Sequence, residues 1–109
     1  MKLIITVVQD QDADRLIDAL MDRGFRTTKL ASTGGFLKAG NTTILMGVDE
    51  DQVDAATDII KETCRSRKQM VAPLTAVGRS MSTYVPSPVE VPVGGATIFV
   101  LDVAAFEKV

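Results

Sequence analysis

The chain has 109 residues, of which 46% are hydrophobic and 24% are charged, and its formal net charge at neutral pH is −2. This size and composition fit one soluble globular domain, and the charge excludes the basic surface that binds nucleic-acid polymers or anionic membranes. The absence of histidine excludes histidine-assisted catalysis and removes the commonest metal ligand.

The first half of the chain predicts a strand, a helix and two further strands. The apolar, β-branched run at 3–8 is typical of a central strand. A helix is predicted over 10–23, because apolar residues recur there at the spacing of one helix face, at Ala13, Leu16, Ile17, Leu20 and Met21. Gly24 ends this helix, and strands are predicted at 25–33 and 42–48.

Acidic residues crowd the start of the predicted helix, at Asp10, Asp12 and Asp14. Such a trio can hold a metal ion, but helix capping and the helix dipole explain it more simply. A second acidic cluster, at 49–51, opens a second helix in the same way. We therefore expect both clusters to be helix starts, with neither a metal site nor a cofactor.

The second half predicts a helix, a short strand, a long loop and a final strand. The inward face of the helix is expected at Val53, Ala56, Ile59, Ile60 and Thr63 or Cys64. At that position the Cys64 thiol is expected to be buried and unreactive. A short strand at 69–74 precedes an irregular loop at about 75–92 that contains three prolines. The run at 96–101 predicts the last strand, and the tail is expected to add a helical turn with Phe106 packed back.

This order of elements predicts an α+β fold of the ferredoxin-like βαββαβ type, a four-stranded antiparallel sheet with two helices on one face. The other face of the sheet then needs a cover. The predicted second strand mixes apolar and polar residues on both of its sides, which favours burial against sister subunits. We therefore expect a single domain over 1–109 that forms a homo-oligomer.

The hairpin tip at about 34–41 is the strongest candidate for a binding site, with the order Gly34-Gly35-Phe36-Leu37-Lys38-Ala39-Gly40-Asn41. Backbone amides next to glycine can approach a phosphate, and the Phe36 ring can stack on a base. Arg26 is suited to pair with a phosphate, and Thr28 is expected on the same side of its strand. The simpler alternative is a flexible hairpin with one stray aromatic residue and a turn asparagine.

Catalysis finds little support in the sequence. The run at 34–38 lacks the spacing and the Lys-Ser/Thr ending of a Walker-type phosphate loop, and no dinucleotide-binding glycine motif occurs. We therefore expect a binding protein and not an enzyme. No stretch is long and apolar enough for a membrane span or a signal segment, and one cysteine suits a reducing compartment. The cytoplasm is the expected location.

Segments spread along the whole chain carry a resemblance to a known family. They are Met1-Lys2-Leu3-Ile4, Val7-Val8-Gln9-Asp10-Gln11-Asp12, Phe25-Arg26, Thr28-Lys29-Leu30-Ala31, Thr33-Gly34-Gly35-Phe36-Leu37-Lys38, Gly40-Asn41-Thr42-Thr43, Tyr84-Val85-Pro86, Pro88-Val89-Glu90-Val91 and Val93-Gly94-Gly95-Ala96-Thr97. Together they resemble the PII-like cyclic di-AMP receptors of Gram-positive bacteria.

The resemblance implies a homotrimer of ferredoxin-like subunits that binds cyclic di-AMP in the clefts between neighbours. It implies a non-enzymatic receptor in which the ligand reorders the hairpin at 34–41 and the loop at about 75–92, changing the surface offered to an unidentified downstream protein partner. Matching positions assign the ligand contacts to Arg26, Thr27, Thr28, Gly35, Phe36, Leu37, Asn41, Gly47 and Phe99. The implied roles are phosphate pairing by Arg26 and polar contacts from Thr28 and Asn41. Gly35, Phe36 and Leu37 would line the adenine pocket.

The chain departs from the family pattern at two positions. Gly24 stands where relatives can carry a polar side chain that reaches the ligand, and Lys108 replaces an amide near the C-terminus. Two alternative functions stay open: a PII-type sensor of ATP or ADP, and a structural trimer without a nucleotide ligand. A triphosphate would need more cations than this chain offers near the hairpin, and the acidic balance disfavours an RNA-recognition domain of the same strand order.

Overall fold

The computed structural model describes residues 1–30, 40–71 and 88–109, and within them it shows an α+β fold with a four-stranded antiparallel sheet and two helices, as predicted. The elements in chain order are β1 (Lys2–Gln9), α1 (Asp10–Asp22), β2 (Thr28–Leu30), β3 (Asn41–Val48), α2 (Val53–Cys64), β4 (Arg67–Val71), β5 (Val89–Val93) and β6 (Ala96–Asp102). A single 3-10 turn, Glu50–Gln52, leads into α2.

β1 lies inside the sheet and fixes its register. The strand order is β2-β3-β1-β6, and every neighbouring pair is antiparallel. Ile4 lies opposite Met46 of β3 and Val100 of β6. The strand that the sequence predicted as central is therefore hydrogen-bonded on both sides, which suits its β-branched composition.

The hydrophobic core lies between the sheet and both helices. Alternate residues of β1 and β3 point into it, because successive side chains of a strand face opposite ways. The buried set is Ile4, Val8, Ala13, Leu16, Leu20, Phe25, Ile44, Met46, Val48, Ala56, Ile59, Ile60 and Cys64. The predicted helix stripes are confirmed except at the end of α1, where Met21 is 60% exposed.

A second, two-stranded sheet was not foreseen in this form. β4 and β5 pair antiparallel, with Arg67 opposite Val93 and Gln69 opposite Val91. The strand predicted at 69–74 therefore begins earlier, and the last part of the loop predicted at about 75–92 is the strand β5. We call β4 and β5 the ribbon. The rest of that loop, 75–87, lies outside the described residues.

Two local predictions at the ends of elements are wrong. The tail after β6 forms no helical turn, and Phe106 is 67% exposed instead of packed back. The acidic residues at the start of α1 make no side-chain capping bond, although Asp10 and Asp12 lie in its first turn, where the helix dipole favours negative charge. One of them, Asp12, has a different role that is described below.

The prediction that Cys64 is buried is confirmed, and this burial raises the pKa of its thiol to about 11. Because the folded chain holds the thiol proton more tightly than the unfolded chain, this group contributes stability below about pH 9 that is lost as the pH rises towards 11. We expect the native thiol to react with iodoacetamide at pH 8 many times more slowly than the denatured thiol. Equal alkylation rates in native and denatured protein would contradict its burial.

In the described ranges no helix is both long and apolar enough to cross a membrane.

Candidate functional site

The sheet face opposite the helices is largely uncovered in the described part of the chain. Its residues on β1 are half-buried, at Leu3, Ile5 and Val7, and those on β6 are exposed, at Thr97, Phe99 and Leu101. We call this surface the open face. It carries a run of apolar side chains that would be unusual on a monomer.

The register places predicted site residues in defined rows across the open face. Thr28 of β2 lies opposite Leu45 of β3, which lies opposite Ile5 of β1, and Ile5 lies opposite Phe99 of β6. Thr28 and Phe99 therefore belong to one row but to the two edge strands. Three strand spacings separate them, about 14 Å.

Two further predicted residues lie on the same face but at opposite ends of β3. Gly47 lies opposite Leu3, and Asn41 lies opposite Gln9. Six residues of extended strand separate Asn41 from Gly47, about 20 Å. One chain therefore presents these four predicted contacts on one face without gathering them into one pocket.

Arg26 and Thr27 precede β2 and line a cavity of about 370 Å³ together with Met21, Gly24 and Phe25. Both residues precede Thr28, which lies opposite Leu45, so their backbone is at the end of β3 that contains Gly47. The predicted contacts Gly35, Phe36 and Leu37 lie outside the described residues.

A larger cavity, of about 680 Å³, opens at the end of β1. Asn41 and Gly40 form one wall, and Gly94 and Gly95 form the opposite one. Its floor is the β1–α1 junction, and its lining residues are Val7, Val8, Gln9, Asp10, Gln11, Gly40, Asn41, Gly94, Gly95, Ala96 and Thr97. We call it the junction cavity, and its volume is within the range of small-molecule pockets.

Hydrogen bonds from the junction hold the first wall. The Asp10 backbone amide donates to the Gly40 carbonyl at 2.9 Å, and the Thr42 hydroxyl donates to Asp10 Oδ1 at 2.5 Å. These two bonds therefore fix the backbone on both sides of Asn41.

The opposite wall is held by backbone donors of the glycine pair. The Gly94 amide donates to Gln9 Oε1 at 2.7 Å, and the Gly95 amide donates to the Cys64 carbonyl at 2.5 Å. Both glycines have positive φ, 84° and 88°, a conformation that other residues rarely adopt.

Asp12 anchors the ribbon to α1. Its side chain is fully buried, and its carboxylate accepts from Arg67 Nη2 at 2.8 Å, from Arg67 Nη1 at 3.3 Å and from Arg15 Nη2 at 3.0 Å. The hydrogen bond to Asp12 raises the pKa of the Arg67 guanidinium. The acidic start of α1 thus contains a buried ion pair rather than a capping side chain, and no three acidic or cysteine side chains in the described ranges converge on a metal position.

The whole chain, residues 1–109, matches the model of the family described as cyclic-di-AMP receptor. The chain belongs to this family. A solved structure that resembles it is described as the crystal structure of a functionally unknown protein from Pediococcus pentosaceus ATCC 25745. The two are 41% identical with a TM-score of 0.78, over 99% of this chain and 96% of that one. The resemblance seen in the sequence is confirmed at the level of the family.

Membership of a receptor family implies a binding role rather than a catalytic one. The sequence-based candidates did not include most of the junction cavity. In the sequence, Asp10 is a residue at the start of a predicted helix and the glycine pair only precedes the last predicted strand. Nothing local shows that β1 and β6 bring Gln9, Asp10, Gly94 and Gly95 together. The paired glycines were the available signal, because consecutive positive φ angles mark a place where the backbone must pass close to another group.

Proposed function

We propose that this chain is a non-enzymatic cytoplasmic receptor that binds cyclic di-AMP where the subunits of a homotrimer meet. The observation that carries the proposal is the match of all 109 residues to the cyclic-di-AMP receptor family. The open face and the junction cavity supply the surfaces on which such a ligand could lie.

The topology supports a PII-like subunit. The strand order β2-β3-β1-β6, with a helix in each of two crossovers, is the order expected of a ferredoxin-like subunit in which the ribbon is an insertion before the last strand. The core residues contributed by both helices pack on one side of the sheet. The other side is left to face a neighbouring subunit.

The apolar open face supports the trimer. Phe99 and Leu101 are exposed on β6, and they adjoin half-buried Ile5 and Leu3. Burial of this surface between copies of the chain would remove its contact with water, the main favourable term in subunit association. A closed ring of three copies leaves no such face unpaired.

The spread of the predicted contacts supports a ligand held between two subunits. Thr28 and Phe99 are about 14 Å apart on one sheet, and Asn41 and Gly47 about 20 Å apart. A neighbouring subunit can bring the β6 edge of one copy towards the β2 edge of the next, so that one ligand meets both groups. A bound dinucleotide then contacts two subunits at once.

Each proposed contact suits one part of cyclic di-AMP. The Arg26 guanidinium is a fixed cation for a phosphate, with Thr27 and Thr28 beside it. Asn41 offers a donor and an acceptor to a base edge, and Phe99 offers a ring for stacking. Gly47 leaves room on the open face, and Gly35, Phe36 and Leu37 complete the adenine pocket.

Signalling is proposed to run through the two connections that flank the site. The segment 31–39 joins β2 to β3 and the segment 72–87 joins the two strands of the ribbon. A ligand that contacts the base of either connection can change the surface that a downstream protein partner meets.

Calorimetric titration of the purified protein tests this function, with cyclic di-AMP, cyclic di-GMP and ATP as ligands. We expect selective binding of cyclic di-AMP, weakened about 10- to 100-fold by Arg26→Ala because a charged hydrogen bond is lost. Phe99→Ala is expected to weaken it about tenfold through lost stacking. Phe106→Ala is the matched control, since this ring is also exposed but lies on the tail. Tighter binding of ATP than of cyclic di-AMP would favour the PII-type nucleotide sensor instead. If none of the three ligands bound, a structural trimer would be favoured.

A further inference from the structure

Three residues at the β1–α1 junction, Gln9, Asp10 and Asp12, hold both walls of the junction cavity. Gln9 binds the Gly94–Gly95 wall by accepting the hydrogen bond of the Gly94 amide. Asp10 binds the Asn41 wall through its hydrogen bonds with Gly40 and Thr42. Asp12 acts one step further away, through Arg67 at the start of the ribbon. The shape of the cavity therefore depends on groups that lie behind its lining.

The link from Arg67 to the glycine wall is a steric one. Arg67 pairs with Val93 across the ribbon, and Val93 is followed directly by Gly94. A Cβ atom at Gly94 would lie 2.5 Å from Arg67 Nη1 and 2.5 Å from the Arg65 carbonyl oxygen. The backbone at Gly94 thus packs directly on the guanidinium that Asp12 holds.

The position of that guanidinium is fixed from several sides. Arg67 Nη1 also donates to the Arg65 carbonyl at 3.1 Å, and Arg15, the second cation on Asp12, donates to the Thr63 carbonyl of α2 at 3.0 Å. The buried carboxylate therefore joins α1, the end of α2 and the ribbon. A bidentate carboxylate–guanidinium pair fixes direction as well as distance.

We propose that Asp12 and Arg67 are positioning residues for the nucleotide site: through their ion pair they set the ribbon against α1 and so hold the Gly94–Gly95 wall at a fixed distance from Asn41. The inference rests on the proposed function in taking cyclic di-AMP as the molecule that occupies the cavity. Neither Asp12 nor Arg67 lines the cavity, so both act on a ligand only through the wall.

Hydrogen exchange of the ribbon amides tests, without any ligand, whether the Asp12–Arg67 ion pair holds the ribbon against α1. Arg67→Gln is expected to raise exchange at Val89–Val93 at least tenfold, whereas Lys68→Gln, an exposed neighbour on β4, is expected to leave it unchanged. A circular dichroism spectrum and a cooperative melt establish that each variant is folded. Unchanged ribbon exchange in folded Arg67→Gln would overturn the proposal.

Two glycine variants separate a clash with the start of the ribbon from backbone strain. Gly94→Ala and Gly95→Ala both place a side chain at positive φ, but only the first meets Arg67 and the Arg65 carbonyl, since a Cβ at Gly95 has nothing within 4 Å. Gly94→Ala is therefore expected to raise ribbon exchange much more than Gly95→Ala. Equal effects of the two variants would count against the guanidinium contact.

Titration with cyclic di-AMP then measures the effect on the site. Arg67→Gln is expected to weaken binding about tenfold, whereas Lys68→Gln is expected to bind as the wild type does. If the wild-type protein did not bind cyclic di-AMP, the proposed function would be refuted. The exchange result would still decide whether the ion pair holds the wall. If Arg67→Gln raised the exchange of the ribbon amides but left the affinity for cyclic di-AMP unchanged, the position of the wall would not matter for ligand binding. That result would overturn the proposal.

Discussion

Asp12→Ala is expected to lower the free energy of unfolding by about 2–3 kcal/mol, a substantial part of the stability of a domain of this size, because charged hydrogen bonds are lost while both guanidinium groups keep access to water. The carboxylate is fully buried and is the common acceptor of Arg15 and Arg67. Its removal leaves two neighbouring guanidinium groups without their acceptor and a gap at the start of α1. Urea unfolding followed by circular dichroism measures the change.

Asp14→Ala is the matched control, because it is the same substitution two residues further along α1. Asp14 is exposed and forms its ion pair with Lys29 at the surface, at 3.3 Å. Such pairs contribute less than about 1 kcal/mol, and the gain in helix propensity is shared by both variants. If Asp12→Ala lowered the free energy of unfolding no more than Asp14→Ala does, the ion pair of Asp12 would not contribute measurably to stability.

Leu101→Glu is expected to convert the proposed trimer into single subunits and to abolish nucleotide binding. Leu101 is 45% exposed in one subunit and lies on the open face beside Leu3. A carboxylate buried there between subunits would lack a partner, at a cost of several kcal/mol for each copy. Light scattering coupled to size exclusion measures the mass, and calorimetry with cyclic di-AMP measures the binding.

Met70→Glu provides the control for this substitution. Met70 is 62% exposed on β4, in the ribbon and not on the open face, and it lines neither cavity, so a glutamate there is expected to leave mass and binding unchanged. A wild-type protein that already has the mass of one subunit would refute the trimer. A Leu101→Glu variant that stays trimeric would place the subunit contact elsewhere.

The helices and the strands of the main sheet could be predicted because their signals are local. The spacing of Leu16 and Leu20 in α1, and of Ala56 and Ile60 in α2, places the buried residues on one side of each helix, where the structure has them. Met21 continues the same spacing, but it falls in the last turn, at the edge of the stripe, and is 60% exposed while the neighbouring Leu20 is buried.

The ribbon was harder to predict because its pairing is not local. Arg67 and Val93 are opposite each other although 25 residues separate them in the chain, and β5 contains a proline at Pro92, which argues against a central strand. A two-stranded ribbon has only edges, so it tolerates a proline that a central strand would exclude. Composition alone therefore suggested a loop.

The family and the binding role could be inferred from the sequence itself, since the segments that carry them are contiguous and the absence of histidine is a property of composition. The placement of groups from distant parts of the chain was decided by the tertiary structure. Asp12 looks like a helix-start residue in sequence, and only the approach of the start of β4 to α1 gives its buried carboxylate the half-buried Arg67 as a partner. A carboxylate at the start of a helix is favourable in either setting, so the local pattern could not distinguish a dipole contact from a buried ion pair.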